Sequence, residues 1–329
     1  MEKRARFFLI FILLSTAAIS ILSVWRFNKT DSNQLLHARM PENGGWSQEN
    51  FTVAVGQPLN LKIVSDDVVH GFAIGQQSEP DIELIPGVIQ NASLTFDQEG
   101  IYIFYCTRWC GPNHWRMRGK IEVTGGPEPT PGQKLPLFIS ENLDIDAEHD
   151  IAFFPNQAPK ISSEPINLDL LPKWALDDNT IWLQSPGETF NRLKNDLILN
   201  EKNTEQLWDL TAQIYYQQTN QAGLLESDSI YTQQCAACHG ETGSSDGVMV
   251  QDLEGATGHS SNGHERVPPP DFTDAAEILG AAPAMLEGKI IRGGMGTGMP
   301  YWGNIYNRQQ IHDLVIYIYT FSLLQEVNP

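Results

Sequence analysis

The chain has 329 residues, which is enough for two modest domains, and its net charge of −19 at pH 7 argues against nucleic acid as a partner. An acidic surface could attract a basic soluble partner, although the same charge also describes a plain solvated surface. The four cysteines fall into two local pairs with none left over, too few and too clustered for a secreted disulfide scaffold. The thiols are therefore interpreted as ligands of metals or cofactors.

The first predicted element is a membrane anchor at residues 7–25, a run of 19 residues without a charged side chain. A run of this length can cross a bilayer as one helix. Lys3, Arg4 and Arg6 precede it, which favours a cytoplasmic N-terminus and a single-pass topology in the cell membrane, with the rest of the chain on the outer face. A cleaved signal peptide is the alternative, but the run is long for one and no A-x-A site ends it.

Residues 27–47 are predicted to form a polar tether, and residues 48–124 a small all-β domain. Segments rich in β-branched and aromatic residues alternate there with Gly, Pro, Asn and Asp, a pattern typical of a sandwich or barrel. The predicted strands are FTVAV, LNLKIVSD, ASLTF, GIYIFYC and GKIEV.

A loop after the strand GIYIFYC has the sequence CTRWCGPNHWRM and carries a soft set of metal ligands. The candidate ligands on this loop and at an upstream strand edge are His70, Cys106, Cys110, His114 and Met117. Thiolates, imidazoles and a thioether suit copper that changes its oxidation state. A mononuclear blue-copper site uses one Cys, whereas two thiolates on one loop can each bridge two copper ions. The carbonyl of Arg108, between the cysteines, is a candidate for a further weak ligand.

Two other sites can be built from the same loop. Zinc bound by the two cysteines, His70 and His114 is chemically feasible but leaves Met117 unexplained. A disulfide between Cys106 and Cys110 is the second alternative in an oxidising compartment. The neighbouring Trp109 and Trp115 are interpreted as packing residues rather than as part of an electron path.

The copper-loop residues resemble the CuA domain of cytochrome c oxidase subunit II, over residues 48–124 together with the membrane helix. The resemblance implies a cupredoxin β-sandwich that holds a binuclear copper centre, and the single helix is similar to the short subunit II of ba3-type oxidases. Many family members have a Glu between the cysteines that helps to hold a magnesium ion, whereas this chain has Arg108. The copper role of the carbonyl survives this change, but the magnesium site is left open.

The Pro- and Gly-rich segment at residues 125–136 is predicted to be a linker that marks a domain boundary. Residues 137–204 are interpreted as a connecting segment of unknown fold. Within it, Ser185 followed by Pro186 and Glu188 predicts the start of a helix.

Residues 205–324 are predicted to form an all-α domain. Its first helix shows apolar residues at a helical period behind a cap at Thr204. Its last helix begins at an Asn307 cap with Gln310 three residues later, and carries one apolar stripe. His312 is expected on the exposed face of that helix.

The sequence CAACH within this domain places Cys235, Cys238 and His239 in the C-x-x-C-H attachment pattern of haem c. The two thiols of such a motif form thioethers with the haem, and the adjacent His is held beneath the iron. The second axial ligand is expected downstream, in RGGMGTGMPYWG. Met299, which precedes a Pro and the final helix, is favoured over Met295.

The segment from about residue 220 to 324 resembles a class I cytochrome c domain, in which a Met-Pro pair supplies the distal ligand. The resemblance also implies that the prolines at residues 268–270 lie along the haem edge. His259 and His264 are weaker candidates for the axial position, in a polar loop.

These elements predict a membrane helix, an all-β cupredoxin sandwich and an all-α cytochrome c domain. Their order resembles that of subunit II proteins with a fused cytochrome c. It implies an electron-input subunit of a cytochrome c oxidase, fed by an external donor such as a soluble cytochrome or copper protein. Electrons would pass through haem c and CuA to the haem–copper catalytic subunit I, where oxygen is reduced. The alternatives are the CuA subunit of a nitric oxide reductase and a free-standing, membrane-anchored electron shuttle.

Overall fold

The computed structural model describes residues 34–77, 80–126, 135–149, 171–197, 199, 201–250, 268–294 and 298–323. The predicted anchor at residues 7–25, most of the predicted linker, and Met295, His259 and His264 lie outside these residues. Within the described ranges, no helix is both long enough and apolar enough to cross a bilayer.

The first part of the chain folds into two β-sheets. Its strands are β1 (Gln34–Ala38), β2 (Asn50–Ala54), β3 (Leu59–Ser65), β4 (His70–Ile74), β5 (Asp81–Leu84), β6 (Gln90–Leu94), β7 (Gly100–Tyr105) and β8 (Arg118–Thr124). The smaller sheet has the order β1-β3-β6 and the larger sheet the order β2-β8-β7-β4-β5. Strand β1 is parallel to β3, and β2 is parallel to β8, whereas the other pairs are antiparallel.

The two sheets share one apolar core. Strand β2 alternates exposed and buried residues, which is the period-2 pattern of a strand with one face on the core. Ile63 from the smaller sheet meets Phe72 and Phe104 from the larger one, and all three are completely buried. Trp46 packs edge-on against both phenylalanines, with ring centroids 5.9 and 5.6 Å apart. The sheets therefore form a sandwich, and all five predicted strand segments lie in it.

The predicted tether is wrong for residues 34–47. Strand β1 pairs with β3 along its whole length, and Trp46 is a core residue. The segment QLLHA contains no β-branched residue, so its local sequence gives little strand signal. Only the long-range pairing with β3 makes it a strand.

The second part of the chain is helical in its described residues. The helices are α1 (Leu137–Ser140), α2 (Asp178–Leu183), α3 (Pro186–Lys194), α4 (Thr204–Tyr216), α5 (Gln221–Gln234), α6 (Ala236–His239), α7 (Ala275–Ile278), α8 (Pro283–Arg292) and α9 (Arg308–Leu323).

Capping residues set where these helices begin. The Ser185 hydroxyl accepts the Glu188 N–H at 3.1 Å while the Glu188 carboxylate accepts the Ser185 N–H at 2.8 Å, so the predicted start of α3 is confirmed. The reciprocal pair of Asn307 and Gln310 likewise precedes α9.

The predicted cap of α4 at Thr204 is wrong by one residue. The side chain of Asn203 accepts the Gln206 N–H at 2.9 Å, and Thr204 is the first helical residue. Asn and Thr are both good caps, so the local sequence alone did not separate them.

The segment predicted as a connector packs into the same core as the helices of the predicted cytochrome c domain. Phe190 of α3 stacks on Trp208 of α4 with ring centroids 4.6 Å apart. Tyr215 of α4 meets Tyr319 of α9 edge-on, and its hydroxyl lies 2.8 Å from that of Thr189. Helices α2 to α4 are therefore a structural part of the helical region.

We expect Phe190→Ala to lower the free energy of unfolding of the helical region by about 3–5 kcal/mol, because it empties a stacked core position. The loss should appear as an earlier midpoint in guanidinium denaturation followed by the helical circular dichroism signal. The control is Leu197→Ala, which truncates a side chain that is 87% exposed. Equal midpoints for both variants would show that α3 is not part of the core.

Candidate metal and cofactor centres

The copper loop, defined as residues 106–117, joins β7 to β8 at one end of the sandwich. Cys106 directly follows β7, and its N–H donates to the carbonyl of Met117 at 3.0 Å, which closes the base of the loop. His70 is the first residue of β4, a neighbour of β7 in the larger sheet. The sheet therefore brings His70 beside a loop that lies more than thirty residues further along the chain.

Two residues with left-handed backbone conformations turn the copper loop back on itself. Gly111 has a φ of 125° and Asn113 a φ of 58°, conformations that glycine and asparagine adopt most readily. A short 3-10 helix over His114–Arg116 follows, and it points His114 inward. The tight sequence GPNH thus brings the second imidazole back to the cysteines.

The copper loop and β4 bring the sequence-predicted ligand atoms together. The Sγ atom of Cys106 lies 3.7 Å from Nδ1 of His70. The Sγ atom of Cys110 lies 3.3 Å from Nδ1 of His114 and 3.4 Å from Sδ of Met117. All five side chains are buried, with exposed fractions of 5% or less.

The two thiols of the copper loop oppose each other electrostatically. Burial alone would raise the pKa of Cys106, but hydrogen bonds with Cys110, His114 and His70 outweigh it and lower that pKa well below its usual value. The pKa of Cys110 is raised, first by its contact with the Cys106 sulfur and then by burial. Without a cation, only one of the two sulfurs readily ionises.

The residues of this cluster fit a copper centre. Metal ligation requires deprotonated thiols and neutral imidazoles, and a bound cation removes the repulsion between two neighbouring thiolates. The donors are soft sulfur and imidazole atoms in a dry pocket, which are the ligands that copper prefers. His70, Cys106 and Cys110 offer donor atoms within 4.8 Å of one another.

Arg108 contributes its backbone and its side chain to different contacts. Its carbonyl oxygen lies 3.2 Å from the Sγ atom of Cys106. Its guanidinium forms an ion pair with Asp81 of β5, at 3.2 Å. The guanidinium of Arg108 is therefore paired with a carboxylate of the same sandwich.

Asp67 is a residue of this site that the sequence reasoning missed. Its carboxylate lies 2.8 Å from Nε2 of His70 and also accepts the Met40 N–H at 2.8 Å. Although burial opposes it, hydrogen bonding from His70 and from the Met40 and Val68 N–H groups holds the pKa of Asp67 well below its usual range. A carboxylate of this kind orients an imidazole and sets its tautomer. The available signal was an Asp three residues before the candidate His.

The haem attachment segment lies at the end of α5. Cys235 follows that helix, and the His239 N–H donates to the Cys235 carbonyl at 3.0 Å, so the motif forms one helical turn. The His239 ring is buried and stacks on Phe272, with centroids 4.5 Å apart. Burial lowers the pKa of His239 to about 4, which keeps the imidazole neutral as an iron ligand must be. Its Nδ1 atom is buried without a hydrogen-bond partner.

Neither thiol of this segment has the lowered pKa of Cys106 in the copper loop. Burial raises the pKa of the Cys235 thiol to about 12, and it also raises the pKa of Cys238. Neutral thiols in an apolar setting do not favour an ionic metal site. They fit the thioether attachment of a haem.

Met299 lies after α8 in a segment that is held against that helix. Its carbonyl accepts the Gly294 N–H at 3.1 Å, and its half-buried side chain packs on the helical core. Of the prolines at residues 268–270, Pro268 and Pro270 are exposed and Pro269 is half-buried, and the Pro269 carbonyl accepts the Ser245 hydroxyl at 2.7 Å. Met299 and His239 both belong to the helical region.

His312 does not lie on an exposed helix face as expected. Its ring stacks on Trp182 with centroids 3.4 Å apart, and burial lowers its pKa to about 4. Both residues line a cavity of about 450 Å³ that includes none of the candidate ligands. Helix α2 covers this side of α9 through Trp182. The local sequence does not reveal this packing.

Two family models match the chain, one over each part. Residues 45–124 match the periplasmic domain of cytochrome c oxidase subunit II, and residues 224–322 match cytochrome c. The resemblance inferred from the sequence is confirmed, and the chain carries a β-sheet cupredoxin-like domain followed by a helical cytochrome c region.

The curated relatives are similar over about a quarter of this chain. Cytochrome c oxidase subunit 2 of Thermus thermophilus is 33% identical over 79 residues, which are 24% of this chain and 58% of that protein. Nitrous-oxide reductase of Ralstonia nicotianae is 32% identical over 24% of this chain and 12% of that protein. The chain thus spans about half the length of the curated subunit 2 relatives it matches. A chain from a haem–copper terminal oxidase dimer is 24% identical, with a TM-score of 0.25 over 38% of this chain and 100% of that one.

We expect Asp67→Ala to weaken copper binding by about 10- to 100-fold, because His70 loses the carboxylate that orients its ring. Competition of the purified protein with a copper chelator would measure the loss. The control is Asp66→Ala, which removes a neighbouring carboxylate that instead bonds His37 and Arg39, both at 2.7 Å. Equal affinities of the Asp67 and Asp66 variants would contradict the role of Asp67.

Proposed function

Because the chain joins a subunit II periplasmic domain to a cytochrome c domain, we propose that it is the electron-input subunit of a haem–copper terminal oxidase. The observation that carries the proposal is the buried cluster of two thiols, two imidazoles and a thioether in the same chain as a helical C-x-x-C-H segment. The first fits a binuclear copper centre and the second fits haem c. Both groups transfer single electrons when bound.

The residues of each centre hold their group rather than react with a substrate. His70 and His114 present Nδ1 to the two sulfurs, and the Arg108 carbonyl lies beside Cys106. The protein side chains exclude water from the copper ligands, because all of them are buried. In the helical region, Cys235 and Cys238 would anchor the haem, with His239 and Met299 as axial ligands.

The proposed route runs from an external donor to haem c, then to CuA, and then to subunit I, where oxygen is reduced. A membrane anchor at residues 7–25 would hold both redox domains at the outer face of the cell membrane. The match to a subunit II periplasmic domain supports that side of the membrane. The anionic surface, with a net charge of −19, supports a basic soluble donor.

A second candidate is the CuA subunit of a nitric oxide reductase. The observation in its favour is Arg108, which replaces the usual interface Glu and pairs with Asp81. The substitution alters the charge at a surface that would face the catalytic subunit. A free-standing, anchored electron shuttle is the candidate in which no catalytic subunit is attached.

The proposed function is tested by purifying the membrane complex through this subunit and supplying a reduced donor. We expect oxygen uptake that is lost in Cys106→Ser, because one of the two thiols that would hold the copper is removed. The control is Thr107→Ser, which keeps the hydroxyl that bonds Asp81 at 2.8 Å and should retain the activity. Turnover of nitric oxide with negligible oxygen uptake would favour the reductase. Neither activity, with no co-purifying membrane subunit, would favour the shuttle.

The axial ligand of the haem is tested separately. We expect Met299→His to lower the reduction potential of the haem and to remove the absorption band that reports iron–sulfur ligation, because an imidazole replaces a thioether. Redox titration and visible spectroscopy would measure both changes. Met295→His is the matched control and should leave the band in place. Loss of the band only in the Met295 variant would reverse the assignment.

A further inference from the structure

The copper loop and the haem attachment segment are joined directly by a hydrogen bond. Nε2 of Gln234 donates to the carbonyl oxygen of Cys106 at 3.3 Å. Gln234 is the residue before Cys235, and its side chain is 9% exposed. A candidate copper ligand and a candidate haem anchor are therefore separated by one side chain and one hydrogen bond.

A second hydrogen bond fixes the same pair of segments. Oε1 of Gln233 accepts the backbone N–H of Trp109 at 2.9 Å. Trp109 lies directly before Cys110, and the nearby Trp115 packs on the core of the helical region. Two consecutive glutamines thus bind a carbonyl and an N–H of the copper loop. The tryptophans that were interpreted as packing residues lie beside this contact.

Residues that follow the two candidate methionine ligands also contact each other. Arg118 directly follows Met117, and its Nη1 donates to the carbonyl oxygen of Tyr301 at 2.7 Å. Its guanidinium lies 4.6 Å from the ring centroid of Trp302 and 5.2 Å from that of Tyr301. Tyr301 is two residues beyond Met299. Residues adjacent to candidate ligands therefore contact each other at both ends of the interface.

Close contact between the backbones extends the interface to the residues just after β4. The N–H of Gln76 donates to the Ile305 carbonyl at 2.7 Å, and its Nε2 donates to the Gly303 carbonyl at 2.6 Å. A Cβ atom on Gly75 would lie 2.2 Å from the carbonyl oxygen of Asn304. Only glycine permits this approach, so the two domains are seated against each other at one defined position.

The position of the interface bears on electron transfer between the two centres. Electron tunnelling slows steeply with distance and is faster through covalent and hydrogen bonds than through empty space. The sandwich could meet the helical region through any face, yet several of the contacts lie at residues beside the candidate ligands. A donor held in this way also remains at a high effective concentration, because both centres belong to one chain.

We infer that Gln234 is a positioning residue that couples the haem to the copper centre within this chain. The path runs from Cys235 through the Gln234 side chain to the carbonyl, and then the sulfur, of Cys106. With both groups bound, one electron would leave the haem, which would be oxidised, and enter the copper centre, which would be reduced by that electron. Gln233 and Arg118 hold the two segments in register. The inference rests on the proposed function because it requires both groups to be bound.

The test is the rate of electron equilibration between haem and copper in the purified full-length protein after pulsed one-electron reduction. We expect Gln234→Met, which keeps the length of the side chain but removes the amide, to slow this rate several-fold. The reduction potentials of both centres should stay unchanged, so that the driving force is not the cause. Amide hydrogen exchange in the copper loop should rise, a readout that requires no electron transfer.

The matched control is Gln76→Asn. Gln76 has a φ of 62°, a conformation that asparagine accepts, and the shorter side chain loses the bond to Gly303 while the backbone bond to Ile305 remains. This variant weakens the interface away from the ligands, and its equilibration rate should match that of the unchanged protein. If Gln234→Met fails to load haem, Gln234→Asn replaces it as the test of the same bond. Its side chain is one methylene shorter, so its amide stops short of the Cys106 carbonyl.

Three outcomes would overturn the inference. An unchanged rate in the Gln234 variant would show that the bond does not couple the centres. Equal slowing in Gln234→Met and Gln76→Asn would show that general docking is responsible. A rate that depends on protein concentration would show that electrons pass between molecules. A protein that binds copper or haem but not both would instead contradict the proposed function.

Discussion

Two neighbouring thiols in a dry pocket are the constraint on which the rest of this structure depends. Cys106 and Cys110 are buried with their sulfurs beside two imidazoles, and burial penalises the charge that each sulfur needs in order to bind a metal. A bound cation would offset this penalty for both thiols. The sandwich supplies the remaining support, because β4 delivers His70 and Asp67 orients its ring.

The haem attachment segment also carries two cysteines, but in a different electrostatic setting. Its thiols are kept neutral by burial, and His239 is kept neutral as well. Covalent attachment requires no stored negative charge, so the segment needs no carboxylate or cationic neighbour. One chain therefore holds two pairs of cysteines in two electrostatic settings, one suited to a charged metal pair and one suited to a macrocycle.

Helices α2 to α4 lie between the sandwich and the haem attachment segment in the chain. Their packing helps to hold the two pairs of cysteines at a fixed separation. Phe190, Trp208 and Tyr215 build the core that supports α9, and α9 closes the cytochrome helices. The loop before α9 then carries Tyr301 to Arg118 on the sandwich. A loose connector would leave the distance between the two segments variable, whereas this packing holds the copper loop and the haem attachment segment in contact.

The sequence by itself indicated the candidate ligands of both centres, because these depend on residue types at short spacings. The copper loop and CAACH are local patterns, and so are the caps at Ser185 and Asn307. The strands with β-branched and aromatic residues were also predictable, since their alternation is a local signal. The candidate ligand His70 was found for its residue type, although only the sheet places it beside the copper loop.

Tertiary structure decided every feature that depends on partners distant in the chain. Strand β1 has no strand signal until β3 pairs with it, and His312 is covered only because α2 packs there. The role of Asp67 depends on the direction of one imidazole, and the contact of Gln234 with Cys106 joins residues 128 positions apart. Local propensity carries no information about such pairs, because their energy exists only once the two domains have folded against each other.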